Sequence, residues 1–294
     1  MGRTKRGDWA YIAIFALWRF VPITLVMLAA AGCEPLPVHL DPLSVNGRDG
    51  GGAPPSYDAL MRIGNAARAG GDFANAVSVF RRAAEIAPGA PAPFVAAGDA
   101  LLATGAVNEA ILAYNSALAR DADDLPALLG LARADLETGR PELALIPLSR
   151  GLAQSPDNPR LLLLLGVAAD ATGQHPEAQA DYRRGLAKAP GDAALTVDLA
   201  LSLALSEDYA DAIAALQPVA MAPSASAQER QTLALIYGLE GSVAEAARLG
   251  RIDLDEASVE HNLAYYQTLR DLSPDARSRA ILSAASGGRA AGPS

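Results

Sequence analysis

The chain has 294 residues, 24 of them lysine or arginine against 33 aspartates and glutamates, for a formal net charge of −9. That balance excludes a body built to grip nucleic acid, which needs clustered basic side chains, and only two lysines occur, Lys5 and Lys188. With 51% apolar residues and one cysteine, the chain has material for a large core and no partner for an intrachain disulfide.

Residues 1–19 hold Arg3, Lys5, Arg6 and Arg19 against Asp8, and Phe20 to Ala31 then run without charge into Ala30-Ala31-Gly32-Cys33. A basic start, an apolar stretch and small residues before a cut site predict an export signal over 1–32. Ala-Gly-Cys after such a run resembles the bacterial lipoprotein box, although Ala30 stands where that box most often has leucine and Leu28 comes two residues earlier. The resemblance implies cleavage before Cys33 and acylation of it, and more than one acyl chain makes a stable anchor, at about 0.8 kcal/mol per buried methylene. Two other readings stay open. Trp9 to Ala31 can remain as a membrane-spanning helix, interrupted by Arg19 and Pro22, or the chain can be secreted with an incidental cysteine. Glu34 follows the cysteine where enterobacterial lipoproteins kept at the inner membrane usually have aspartate. The resemblance therefore implies the periplasmic face of the outer membrane, with an inner-membrane anchor as the alternative.

Residues 33–56 contain Pro35, Pro37, Pro42, Asn46-Gly47, Gly50-Gly51-Gly52 and Pro54-Pro55 without periodicity, and read as a flexible tether. Removing residues 1–32 takes away four bases and one acid and leaves 20 against 32, a net of −12. So acidic a body points to protein partners, with membrane contact made through the lipid on Cys33.

From residue 57 the chain becomes periodic. Ala76, Ala110, Ala144, Ala178, Ala212 and Ala246 recur every 34 residues. Four residues on come Phe80, Tyr114, Leu148, Tyr182 and Leu216, and three beyond those Ala83, Ala117, Gly151, Gly185 and Val219. Pro88, Pro156 and Pro190 sit where a ring without an N–H ends a helix. Ile63-Gly64, Ala97-Gly98, Leu131-Ala132, Leu165-Gly166, Leu199-Ala200 and Leu233-Ala234 mark a close-contact seam in the first helix of each pair. Gly71-Asp72, Gly105, Gly139, Gly173, Glu207-Asp208 and Gly241 supply the turns. Six units follow: 57–90, 91–124, 125–158, 159–192, 193–226 and 227–260. Thirty-four is the period of the tetratricopeptide repeat (TPR), which these columns resemble. The resemblance implies an all-α, right-handed TPR solenoid over 57–260, with a C-terminal capping helix.

No catalytic residue, metal ligand or cofactor site stands out. His39, His175 and His261 fall in the tether, a turn and the end region without a second ligand at helical spacing, and read as solvated or capping. The acid pairs Asp123-Asp124 and Glu207-Asp208 fall at repeat joints, where carboxylates solvate loops. No phosphate loop or Gly-x-Ser-x-Gly elbow is present. Neither an enzyme nor a binder of small-molecule substrate is expected.

In such a solenoid the first helices line the concave face, and register predicts a partner groove of Met61, Asn65, Val95, Asp99, Leu129, Arg133, Leu163, Val167, Val197, Leu201 and Leu235, with Asp170 beside them. It becomes more apolar along the chain. Only Asn65 and Arg133 suit a carboxylate clamp, so the groove fits an amphipathic helix or an apolar strand. Alternatively the solenoid fills its own inside with its C-terminal segment.

Beyond Ala246 the register is lost. Leu263, Tyr266, Leu269 and Val259 form a stripe on a helix expected to start at Ser258, within a capping region over 261–282, and the Ala/Gly/Ser-rich tail 283–294 reads as disordered. Leu233-Ala234-Leu235-Ile236-Tyr237-Gly238-Leu239, Arg251-Ile252-Asp253-Leu254 and Asn262-Leu263-Ala264-Tyr265-Tyr266 with Leu269-Arg270 resemble the TadD family, repeat lipoproteins of the tight-adherence (Flp pilus) system. That resemblance implies a non-enzymatic adaptor in pilus assembly, acting in a pilotin-like way on an outer-membrane secretin or as a scaffold among assembly proteins. A general periplasmic scaffold for envelope or outer-membrane biogenesis is the alternative, and a regulatory subunit on a retained membrane helix is a third reading.

Overall fold

The computed structural model describes residues 54–290, with side chains described as far as residue 282. The expected signal segment, Cys33, the tether up to residue 53 and the last four residues lie outside the described residues. Among the described residues there are fourteen α-helices and no strand. Twelve form six antiparallel pairs: α1 (Tyr57–Ala69) with α2 (Phe73–Ile86), α3 (Ala92–Ala103) with α4 (Val107–Leu118), α5 (Leu125–Glu137) with α6 (Pro141–Gln154), α7 (Pro159–Ala171) with α8 (His175–Lys188), α9 (Ala193–Leu205) with α10 (Tyr209–Ala220), and α11 (Ala227–Glu240) with α12 (Val243–Asp253). Two more follow, α13 (Glu256–Arg270) and α14 (Pro274–Ala290).

Local chemistry sets these boundaries. Asp124, Asn158, Asp192 and Ser226, one per repeat, each accept a hydrogen bond from a first-turn amide of α5, α7, α9 and α11, which satisfies donors the helix itself leaves open. Ser226 and Glu229 complete a reciprocal capping box. Thr104, Thr138 and Thr172 close the other ends, their hydroxyls donating to carbonyls of the last turn. The next residue must then take a left-handed backbone, and glycine supplies it at Gly71, Gly105, Gly139, Gly173 and Gly241. Glu207 holds the same position in the fifth repeat at φ 64°, the single non-glycine residue with positive φ among those described. A side chain in that conformation costs about 1–2 kcal/mol.

The alanine column is the centre of each pair. Ala76, Ala110, Ala144, Ala178 and Ala212 have no exposed surface and Ala246 has 2%. The large residues one turn on are as deeply buried, and three of their rings lie flat on glycine backbone. A Cβ built on Gly64 would stand 2.5 Å from the Phe80 ring, and one on Gly166 would stand 2.4 Å from Tyr182. Tyr114 is wedged between two first helices, 2.7 Å from a Cβ on Gly98 and 2.2 Å from one on Gly130. The small column plays the same part between repeats, since Gly151 and Gly185 admit Leu161 and Leu195 of the following first helix.

Consecutive first helices touch one another along the series, while consecutive second helices do not pack together to a like degree. The stack therefore curves with α1, α3, α5, α7, α9 and α11 on its inner side. The end differs from expectation in three ways. Asp255, not Ser258, caps α13, accepting from the Ser258 amide at 2.8 Å. The buried stripe of α13 is Val259, Asn262, Tyr266 and Leu269, with Leu263 only half-buried. Helix α14 runs to Ala290, through the stretch from 283 expected to be disordered, because the chain is still helical where its composition reads as tail. α13 packs on α11 and α12 as a seventh first helix would, and its Tyr266 ring lies on Gly238. α14 does not complete that seventh pair; it crosses to α5 and α9 on the inner face.

Gly166→Ala forces a methyl into the Tyr182 ring and is expected to lower stability by about 1–3 kcal/mol in thermal or urea unfolding. Gly89→Ala, which meets nothing within 4 Å, is expected to stay within about 0.5 kcal/mol of the parent.

Candidate interaction groove

The inner face of repeats three to six encloses a cavity of about 560 Å³. Its floor is Leu163 and Val167 of α7 with Val197 and Leu201 of α9, and its rim carries Arg133, Glu137, Asp198 and Glu229. Five residues predicted from register, Arg133, Leu163, Val167, Val197 and Leu201, thus meet around one space. The apolar character of the floor follows from α9, whose sequence Ala-Ala-Leu-Thr-Val-Asp-Leu-Ala-Leu-Ser-Leu-Ala-Leu leaves little polar surface on either side.

The other predicted residues lie apart from this cavity. Val95, expected on the exposed side, is 9% exposed and packs into the cluster around Tyr114, because α3 is apolar all round and has core on both sides. Met61 packs half-buried between the clusters of the first two pairs. Asn65 is exposed and accepts from the Arg68 guanidinium at 3.4 Å. Asp99 accepts the Tyr114 hydroxyl at 2.8 Å and faces Arg133 at 3.7 Å. Burial and the neighbouring Asp99 carboxylate hold the Tyr114 hydroxyl far above the ordinary tyrosine range, so it remains a donor. Leu129 and Leu235 are half-buried against the cores of their own repeats.

Bordering the same cavity is a polar centre around Asp170, a residue that register placed beside the groove but whose partners periodicity does not reveal. Asp170, 4% exposed, accepts the Ser202 hydroxyl at 2.7 Å and the Tyr182 hydroxyl at 3.0 Å, and its Oδ1 lies 2.7 Å from His175 Nδ1. His175 is therefore not the solvated turn residue its position suggested: 14% of its side chain is exposed, and Asp170 pins it. Three helices, α7, α8 and α9, are joined at one carboxylate. The available signal was Ser202, a small polar residue amid the leucines of α9 on the first-helix face.

The groove also contains a piece of the chain itself. Ile281 of α14 is 4% exposed and belongs to the core cluster that includes Val197, Leu233 and Leu269, while Leu282 borders the cavity. Arg277, 8% exposed, donates to Glu207 Oε1 at 2.8 Å, to the Tyr209 hydroxyl at 3.0 Å and to the Leu269 carbonyl at 3.1 Å. Glu207 is thus more than the loop-solvating acid expected at a repeat joint. Of the two sequence readings, an open trough and a self-filled one, the second describes this end of the groove. Among the described residues no group of three histidines, cysteines, aspartates or glutamates stands close enough to hold a metal ion, and no helix is long and apolar enough to cross a membrane.

Two tetratricopeptide repeat models match the sequence, one over 67–124 and 101–167 and the other over 163–226. Together they run unbroken from 67 to 226, more than half of the chain. No curated protein matches it. Solved structures with the same fold include a tetratricopeptide repeat protein from Parabacteroides merdae, 15% identical, covering 72% of this chain and 84% of that one with a TM-score of 0.60. PilW, a widely conserved type IV pilus biogenesis factor, is 18% identical over 72% of this chain and 97% of its own, with a TM-score of 0.62. PilF of Pseudomonas aeruginosa is 19% identical over 71% and 97%, with a TM-score of 0.59. At these identities the likeness is one of fold.

Asp170→Ala is expected to destabilise the protein by about 1–3 kcal/mol, since it takes away the buried carboxylate to which the Ser202 and Tyr182 hydroxyls donate. Chemical denaturation measures the loss, and Asp170→Asn, which keeps an oxygen there, is expected to lose less.

Proposed function

This chain belongs to the tetratricopeptide repeat family, a scaffold for binding other proteins, and on that premise we propose that it is a non-enzymatic adaptor in Flp pilus assembly. In this reading lipid on Cys33 holds it at the periplasmic face of the outer membrane, and it acts on the secretin in a pilotin-like way. The observation that carries the adaptor role is the cavity in which Leu163, Val167, Val197 and Leu201 form an apolar floor under a charged rim. Such a surface, on the inside of a curved stack, suits a helix or strand whose apolar side needs cover. Support for the pilus comes from the C-terminal run that resembles the TadD family. PilW, a type IV pilus biogenesis factor, shares the fold, which agrees with this reading without carrying it. The Pro/Gly-rich stretch up to residue 56 would let the solenoid stand off the membrane, at roughly 3.3 Å per residue when extended.

Leu201→Glu is expected to abolish co-purification of the secretin from detergent-solubilised membranes while far-ultraviolet circular dichroism stays unchanged; undiminished capture by that variant rejects the groove as the binding surface. Palmitate labelling is expected in the parent and absent in Cys33→Ser, and equal labelling of the two removes the lipid anchor.

A further inference from the structure

The last helix is placed where a ligand would be, and it is held there lightly. α14 touches α5, α9 and α13 far less extensively than the two helices of any pair touch each other. Such an element belongs to the low-stability end of a structure. Its apolar anchor is Ile281, with Leu282 beside the unfilled part of the cavity. Its polar anchor is Arg277, whose head bridges Glu207 and Tyr209 at the turn between α9 and α10.

A separate observation bears on that anchor. Five of the six turns use glycine at the left-handed position, and the sixth uses Glu207, whose carboxylate receives Arg277. Backbone strain is thus retained in the one repeat where its side chain holds the terminal helix. Charge agrees. The rim carries Glu137, Asp198 and Glu229 against Arg133, while the described part of α14 carries Arg277 and Arg279 against Asp275.

We propose that α14 is a displaceable occupant of the groove and that the partner of this surface is a basic amphipathic helix of like pattern, an arginine followed four residues on by a branched apolar residue, which replaces it. This rests on the adaptor reading above and adds the class of ligand and the means by which the empty groove is kept covered. A partner helix must compete with an occupant at high effective concentration, so weakening the latch raises apparent affinity for it.

Glu207→Gly supplies at the fifth turn the residue used by the other five, so it takes the carboxylate out of the latch, leaving Arg277 the Tyr209 hydroxyl and the carbonyls at the end of α13, while the stack keeps its fold. In the full-length protein in detergent, hydrogen exchange of amides 274–290 is expected to quicken at least tenfold in Glu207→Gly and in Arg277→Ala, with α5 to α10 unchanged. A fluorescent synthetic peptide of residues 272–290 is expected to bind Glu207→Gly at least tenfold more tightly than the parent, and the same peptide carrying Arg277→Glu and Arg279→Glu is expected not to bind. Unchanged exchange in both variants, equal peptide affinity for parent and variant, or binding of the charge-reversed peptide overturns the proposal. So does a dimeric mass for the parent by light scattering that becomes monomeric in Arg277→Ala, since a second copy would then supply the occupant. Loss of these responses with secretin capture intact removes only the assigned occupant. The expected responses without secretin capture remove only the pilus reading.

Discussion

The architecture depends on backbones coming close enough for an aromatic ring to rest directly on a peptide. Where Phe80, Tyr114 and Tyr182 lie on Gly64, Gly98, Gly130 and Gly166, the space that a methyl group would occupy is already taken by ring carbon. The fully buried alanines one turn before those rings impose the same limit from the second helix. Close-packed interiors tolerate little added volume, so a repeat either keeps small residues at these positions or loses its partner. Each unit offers an apolar face that only the next unit can cover, and a stack of pairs is the result.

Curvature follows from the same contacts. Because consecutive first helices touch one another and consecutive second helices do so less, the face the first helices share becomes the inside of the curve, and side chains on it meet at a common space. In repeats four and five the floor of that space is apolar, and the carboxylate of Asp170 ties α7, α8 and α9 together beside it. A buried acid with three partners positions these helices. The groove combines a hydrophobic floor with a rim that carries Glu137, Asp198, Glu229 and Arg133.

The C-terminal helices divide the tasks of closure. α13 stands where a seventh first helix would, so the last pair is covered as the earlier ones are. α14 leaves the stack and uses the groove, its buried Arg277 bound to a turn 70 residues earlier in the chain. Capping an open end and covering an apolar trough are both solutions to exposed hydrophobic area, and this chain applies one to each surface.

Columns at a 34-residue interval determined the helix pairs, their turns and the buried seam, since each of these is settled by contacts within a repeat or between neighbours, and such contacts recur in sequence as they do in space. Register likewise placed Leu163, Val167, Val197 and Leu201 on one face. Tertiary structure alone decided that Val95 is covered, that His175 is drawn onto Asp170, and that α14 lies in the groove. The Ser278 hydroxyl meets the His175 ring across 103 residues, and Arg277 meets Glu207 across 70. Among the described residues these two pairings join a repeat to the C-terminal helix and recur in no other repeat, so they leave no periodic mark from which they could be read.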